Sequence, residues 1–171
     1  MPLTIAQRLD RLKVRIAELA HWRDRQSSPI DGWTFEGEPI GHQQDWPHRQ
    51  GVVHFAVSAE APESWPLEDI RLQLDLGGES LITLSYPDGE AETFGLDPYH
   101  QEFPVKGRRF SIATESAARF PFGEPNRAPR LNKARFIWLD GPAHRLHLLL
   151  KQVSEAIDVL GEHAGLCKRI A

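Results

Sequence analysis

The chain has 171 residues and a formal net charge of −4, with 40% apolar and 26% charged residues, which is globular rather than disordered composition. No stretch approaches the ~20 apolar residues of a membrane-spanning helix, and the charged N-terminal segment has no signal-peptide core. A single cysteine, Cys167, excludes an intrachain disulfide and a thiolate-rich zinc site and fits a reducing cytoplasm, while the acidic balance argues against nucleic acid or anionic lipid as partner.

The first predicted element is a helix over residues 4–26. Thr4 and Gln7 have the spacing of a capping box, in which hydroxyl and amide satisfy the orphan N–H groups of a helix start. Ile5, Leu9, Leu12, Ile16 and Leu19 then recur at three- and four-residue spacing along one face, until Ser27-Ser28-Pro29 stops it. The first 25 residues hold six Lys/Arg against three Asp/Glu, and the remainder carries a net −7. A basic amphipathic helix on an acidic chain is better matched to its own protein than to a membrane.

Over residues 30–140 the apolar period changes to two. Val53–Val57 alternates, and Ile70, Leu72, Leu74 and Leu76 alternate with Arg71, Gln73 and Asp75 in the clearest strand pattern present. Gly77-Gly78 reads as a strand-ending turn rather than a phosphate loop. Leu81–Tyr86 follows, then Pro87-Asp88-Gly89, a turn in which proline presets φ and glycine accepts φ > 0. Ala91–Phe94, Glu102–Val105, Phe110–Thr114 and Arg135–Leu139 are shorter strands. A second helix is predicted over 142–164, with Pro142 in its first turn and a stripe of Leu146, Leu149, Leu150, Val153, Ile157 and Leu160, and with Gly161 and Gly165 weakening its end. The expected fold is mainly β, a single domain over 1–171: a β-sandwich or jelly roll flanked by an N-terminal and a C-terminal α-helix.

Residues that carry chemistry are scattered. Of eight histidines, His144 and His147 are three apart in the first turn of the second helix, without the glutamate of a zinc-binding helix, and read as surface histidines. Lys168 and Arg169 beside Cys167 would lower its thiol pKa, but a position so near the chain end does not hold a nucleophile. Glu36, Glu38, Glu79, Asp97 and Glu102 lie near strand ends, and no spacing singles out a catalytic pair. The sequence therefore yields no catalytic residue, no metal ligand and no cofactor, and an enzyme of unrecognised type is the weakest of the functional readings.

Binding is better supported. Trp33, Trp46, Trp65 and Tyr99 lie in or near turns, where flat rings stack on sugars, and Asp97, His100 and Gln101 can hydrogen-bond hydroxyls. The alternative is that the tryptophans cap the core, their indole N–H groups on backbone acceptors, and that Asp97 and His100 merely tie their own turn. Trp46, Asp97, Tyr99 and His100 are the candidate ligand-binding residues.

Several motifs in order carry a resemblance: Pro62-Glu63-Ser64-Trp65, Leu72-Gln73-Leu74-Asp75-Leu76-Gly77-Gly78-Glu79-Ser80, Gly95-Leu96-Asp97-Pro98-Tyr99-His100-Gln101-Glu102 and Pro121-Phe122-Gly123. With Trp46-Pro47 ahead of Val53–Val57, they resemble the N-terminal β-sandwich domain of the cytoplasmic or vacuolar α-mannosidases of glycoside hydrolase family 38, over residues 30–160. The resemblance implies an accessory domain of a zinc-dependent retaining glycosidase, its closing helix leading toward a catalytic barrel. That barrel carries the family's zinc ligands and aspartate nucleophile, and none of them has a counterpart here. The implied partners are the catalytic domain of the parent enzyme, a mannose-containing carbohydrate and a second copy in a homo-oligomer. A stand-alone carbohydrate-binding module is the alternative.

Overall fold

A computed structural model describes residues 4–160; Cys167 and the expected helix end at 161–164 lie outside them. The chain divides into two compact units, residues 1–25 with 139–171 and residues 26–138.

The first unit is a helix pair. Helix α1 (Ile5–Arg23) starts with the anticipated capping box: the Gln7 amide donates to Thr4 Oγ1 at 3.3 Å, and the Thr4 amide to Gln7 Oε1 at 3.0 Å. It ends earlier than the predicted residue 26, because strand β1 (Asp24–Pro29) begins directly after it. Helix α2 (Gly141–Leu160) is started by Asp140, whose carboxylate accepts from the Ala143 amide at 3.0 Å. That N–H, and then the Arg25 guanidinium 2.7 Å away, hold the Asp140 carboxyl below the usual aspartate range.

The helices run antiparallel, for the Asp140 amide donates to the Arg23 carbonyl at 2.7 Å while Lys13 reaches Asp158 at 3.3 Å. Leu9, Leu12, Ile16 and Leu19 are half-buried on α1, and Ser154 and Ile157 are buried on α2. Lys13, Arg15, Arg23 and Arg25 each pair with a carboxylate, so much of the basic charge is matched within the protein. Both helices also expose large apolar side chains: Val14 and Trp22, the latter 75% exposed, and Leu146, Leu148, Leu149 and Val159. His147 is half-buried rather than solvated, its Nδ1 3.3 Å from the Ile16 carbonyl.

The second unit is a sandwich of two antiparallel sheets. Its further strands are β2 (Thr34–Phe35), β3 (Glu38–Pro39), β4 (Val53–Glu60), β5 (Ile70–Asp75), β6 (Glu79–Ser85), β7 (Ala91–Leu96), β8 (Glu102–Pro104), β9 (Arg109–Ala117) and β10 (Lys133–Leu139). One sheet has the order β1-β10-β5-β8 and the other β3-β2-β4-β9-β6-β7. The period of two puts Leu72, Leu74, Ala134 and Phe136 of the smaller sheet against Phe55, Val57, Ile82, Leu84, Phe110 and Ile112 of the larger. Phe110 and Phe136 meet edge to face across the layers at 5.9 Å. The protein is thus mainly β, a β-sandwich flanked in sequence by two helices.

One residue departs from the simple alternation. Gln73 faces away from the core, yet it is buried, because its amide bridges three strands: Nε2 donates to Glu102 Oε1 at 3.0 Å and Oε1 accepts from Arg135 at 2.6 Å. Strand β5 is central in its sheet, and the long side chains of its neighbours close over it.

Candidate ligand-binding pocket at one end of the sandwich

Two of the sequence motifs, Leu72–Ser80 and Gly95–Glu102, meet at one end of the sandwich and line a cavity of about 290 Å³ with Phe120, the residue ahead of a third. The first wall follows β5. Gly77 has φ +82°, and a Cβ there would lie 2.3 Å from the Arg130 amide nitrogen, while one on Gly78 would lie 2.1 Å from the Ala117 carbonyl oxygen. Only glycine lets these backbones approach so closely. Asp75 Oδ1 accepts from the Gly77 amide at 3.0 Å, and the Asn126 amide donates to the Gly77 carbonyl at 2.7 Å.

The second wall is the turn after β7. Asp97 Oδ1 accepts from the amides of Tyr99 at 2.7 Å and His100 at 2.9 Å, and Oδ2 lies 2.9 Å from His100 Nδ1. The His100 contact first, and then the two amides, hold the Asp97 carboxyl below its usual range against the effect of desolvation. The third wall is Phe120, which precedes the turn Pro121–Gly123, closed by the Gly123 amide on the Phe120 carbonyl at 3.1 Å. At its tip Phe122 takes φ 69° and ψ 16°, a left-handed conformation rare for an aromatic residue, and its side chain is fully exposed.

The four sequence candidates divide. Asp97 lines the cavity. Tyr99 stands at the outside of the turn, 79% exposed, and His100 is exposed beside it. Trp46 does not join them as a ring open to a ligand: it is 3% exposed, tilted against Phe35 and edge-on to Phe55, and its indole N–H donates to the Leu76 carbonyl at 2.7 Å. From inside the core it supports the strand end that carries Gly77. Trp65 likewise donates to Gln26 Oε1 at 3.1 Å, whereas the buried Trp33 N–H has no acceptor among the described residues.

Phe120, Asn126 and Asn132, which the sequence does not single out, also line the cavity, as do Asp75, marked in sequence only by its strand and motif, and Gln101, marked only as a hydrogen-bonding neighbour. Gly77-Gly78 and Pro121-Phe122-Gly123 were the available signals, since both mark sharp turns beside polar residues.

A larger concavity of about 520 Å³ lies on Ser58, Glu60, Tyr86, Arg109 and Phe110, but its phenol and its charged groups already hold partners. Tyr86 donates to Glu92 at 3.0 Å and accepts from the Lys106 amide at 3.0 Å; Lys106 Nζ reaches Glu92 at 3.2 Å, and Arg109 reaches Glu60 at 2.7 Å. Burial first, and the Glu92 contact after it, push the Tyr86 phenol up. Among the described residues, no three His, Cys, Asp or Glu side chains gather as metal ligands would, and no helix is long and apolar enough to cross a membrane. No protein-family model matches the chain, and no curated protein matches it.

Proposed function

We propose that this chain is a non-catalytic accessory β-sandwich domain of an α-mannosidase-like hydrolase of glycoside hydrolase family 38, which docks the zinc-dependent catalytic barrel of that enzyme and contacts mannose-containing carbohydrate. The observation that carries this reading is the convergence of the Leu72–Ser80 and Gly95–Glu102 stretches, with Phe120 just ahead of Pro121–Gly123. Far apart in sequence, residues of these two stretches line one cavity together with Phe120 instead of serving separate turns. Motifs that share a surface point to a common task, and exposed loop residues more often carry function than packing.

The helix pair supports the docking half of the proposal. Apolar side chains left in water forgo the roughly 1.5–3 kcal/mol that burial of each large aliphatic side chain contributes. Leu149 at 59% exposure, with Leu146, Val159 and Trp22, is suited to cover by a large protein surface. The occupant in this reading is the catalytic barrel, and the setting is the cytoplasm.

The test is association in trans. The purified chain should bind a family 38 catalytic fragment stripped of its own N-terminal sandwich, one to one in sedimentation, and raise its melting temperature. Absence of a complex, together with self-association through the helix pair, would overturn the accessory reading. A chain that binds no fragment yet binds mannosides would instead be the stand-alone carbohydrate module.

A further inference from the structure

We infer that the cavity between the Gly77-Gly78 turn, the Asp97–Gln101 turn and Phe120 is a binding site for one neutral pyranose ring, with Asp75, Gln101 and Asn132 as its hydrogen-bonding groups. This assignment deepens the carbohydrate half of the function proposed above and takes from it only which sugar is tried first.

The inference rests on which polar groups are already satisfied. Asp97 spends both oxygens on its own turn, and the Asn126 amide is taken by Gly77 and Ala128. Asp75 commits only Oδ1, to the Gly77 amide. Gln101 and Asn132 take part through their backbones, the Gln101 carbonyl accepting from Leu74 and the Asn132 amide donating to Asp75. Their side-chain amides, and Asp75 Oδ2, hold no hydrogen bond within the described residues. Asp75, Gln101 and Asn132 thus line a single cavity while two side-chain amides and one carboxylate oxygen among them stay unspent.

The chemistry of these groups selects the ligand. Among the described residues no Lys, Arg or His lines the cavity, so a phosphate or carboxylate ligand would find no countercharge there. One free carboxylate oxygen is a poor site for a divalent cation, which takes 6–8 oxygens as calcium or near-ideal octahedral geometry as magnesium. A hydroxyl both donates and accepts, and a carboxamide beside a carboxylate oxygen answers both. Leu96, Pro98 and Phe120 supply the apolar surface that the C–H face of a sugar ring requires. The volume of about 290 Å³ lies at the lower end of ligand sites, roughly 300–1,000 Å³, which suits one ring.

The rim agrees. Phe122 keeps a left-handed backbone and a side chain wholly in water, a combination that costs stability and gains no packing in return. Held at the tip of the turn that carries Phe120, it is placed to meet something outside the domain.

Titration of the ¹⁵N-labelled chain with methyl α-mannoside, methyl α-glucoside and methyl α-galactoside, followed by amide chemical shifts, tests the site. Saturable shifts with a Kd in the millimolar range are expected for at least one of them, centred on Gly77, Gly78, Asp97–Gln101 and Asn132. Gln101→Ala and Asn132→Ala, which remove no internal hydrogen bond, should each weaken binding about tenfold with an unchanged melting temperature. No saturable shift with any of the sugars, shifts centred elsewhere on the sandwich, or calcium alone saturating these same residues would each overturn the site. The trans-association assay is independent: a complex without sugar binding removes this site and leaves the docking proposal standing. Sugar binding without a complex does the reverse.

Discussion

The Asp97 carboxylate holds the His100 imidazole across a four-residue turn, Oδ2 to Nδ1 at 2.9 Å, while its other oxygen accepts from the Tyr99 and His100 amides. One side chain thus fixes both the backbone of the turn and the ring that leaves it. Pro98 contributes by stiffening the segment and pushing Asp97 toward extended backbone. The arrangement orders the second wall of the cavity before any ligand arrives, which reduces the ordering cost of binding.

That relationship fixes a pH dependence. The folded Asp97 carboxyl titrates below the ordinary aspartate value of 3.8, so its charged form stabilises the fold fully above that value. The contribution is lost as the pH falls from there through the lower, folded-state value. Asp97→Asn keeps the shape and an acceptor oxygen but removes the charge. Its melting temperature should lie below that of the parent at neutral pH, and the two should converge on acidification. A gap that persists unchanged into acid would show that the charge of Asp97 does nothing for the turn.

Trp46 should behave as a core residue. Trp46→Ala removes an indole packed on Phe35 and Phe55 and should cost about 3–5 kcal/mol in urea unfolding. Trp46→Phe keeps most of the packing but strips the Leu76 carbonyl of its donor, a loss of about 1–3 kcal/mol. Tyr99→Ala, at an exposed position, should stay within about 0.5 kcal/mol of the parent. A Trp46→Ala chain as stable as the parent would contradict the packing described.

These contrasts mark how far the sequence could be read. The capping box at Thr4 and Gln7 and the alternation Ile70-Leu72-Leu74 are local patterns with local causes, and both are present in the fold. Strand β1 was illegible, because Asp24-Arg25-Gln26-Ser27-Ser28-Pro29 has no apolar period and owes its extended state to the neighbouring β10. A tryptophan beside a turn packs inward or outward according to tertiary context, so Trp46 looked as available as Tyr99. Asn132 is far from Asp97 in sequence, and only the meeting of the two sheets at their ends puts both on one cavity.

The glycine pair at the end of β5 gives a sharp stability prediction. An alanine Cβ at Gly78 would lie 2.1 Å from the Ala117 carbonyl oxygen, and one at Gly77 would lie 2.3 Å from the Arg130 nitrogen with the left-handed backbone strain added. Both obstacles are backbone, which cannot swing aside as a side chain does. Gly77→Ala and Gly78→Ala should each lose about 3 kcal/mol or more. Gly95→Ala, with nothing within 4 Å of its Cβ, should change stability by less than about 1 kcal/mol. Equal melting curves for all three variants would mean that the close approach of the chain segments at this end of the sandwich is not as described.

The last prediction separates folding from docking on helix α2, where Ile157 is 5% exposed and Leu149 is 59% exposed. Ile157→Asp places an unpaired charge where water is excluded and should cost about 3 kcal/mol or more, weakening the helix pair itself. Leu149→Asp puts the same charge where the isolated chain already meets water, and its stability should move by less than about 0.5 kcal/mol. If the exposed stripe docks a catalytic barrel, Leu149→Asp should still lose association, because a carboxylate buried without a partner opposes the complex and not the fold. Circular dichroism melts and sedimentation with the catalytic fragment read the two effects separately. A Leu149→Asp chain that melts like the parent and still forms the complex with parent affinity would remove this stripe from the docking surface.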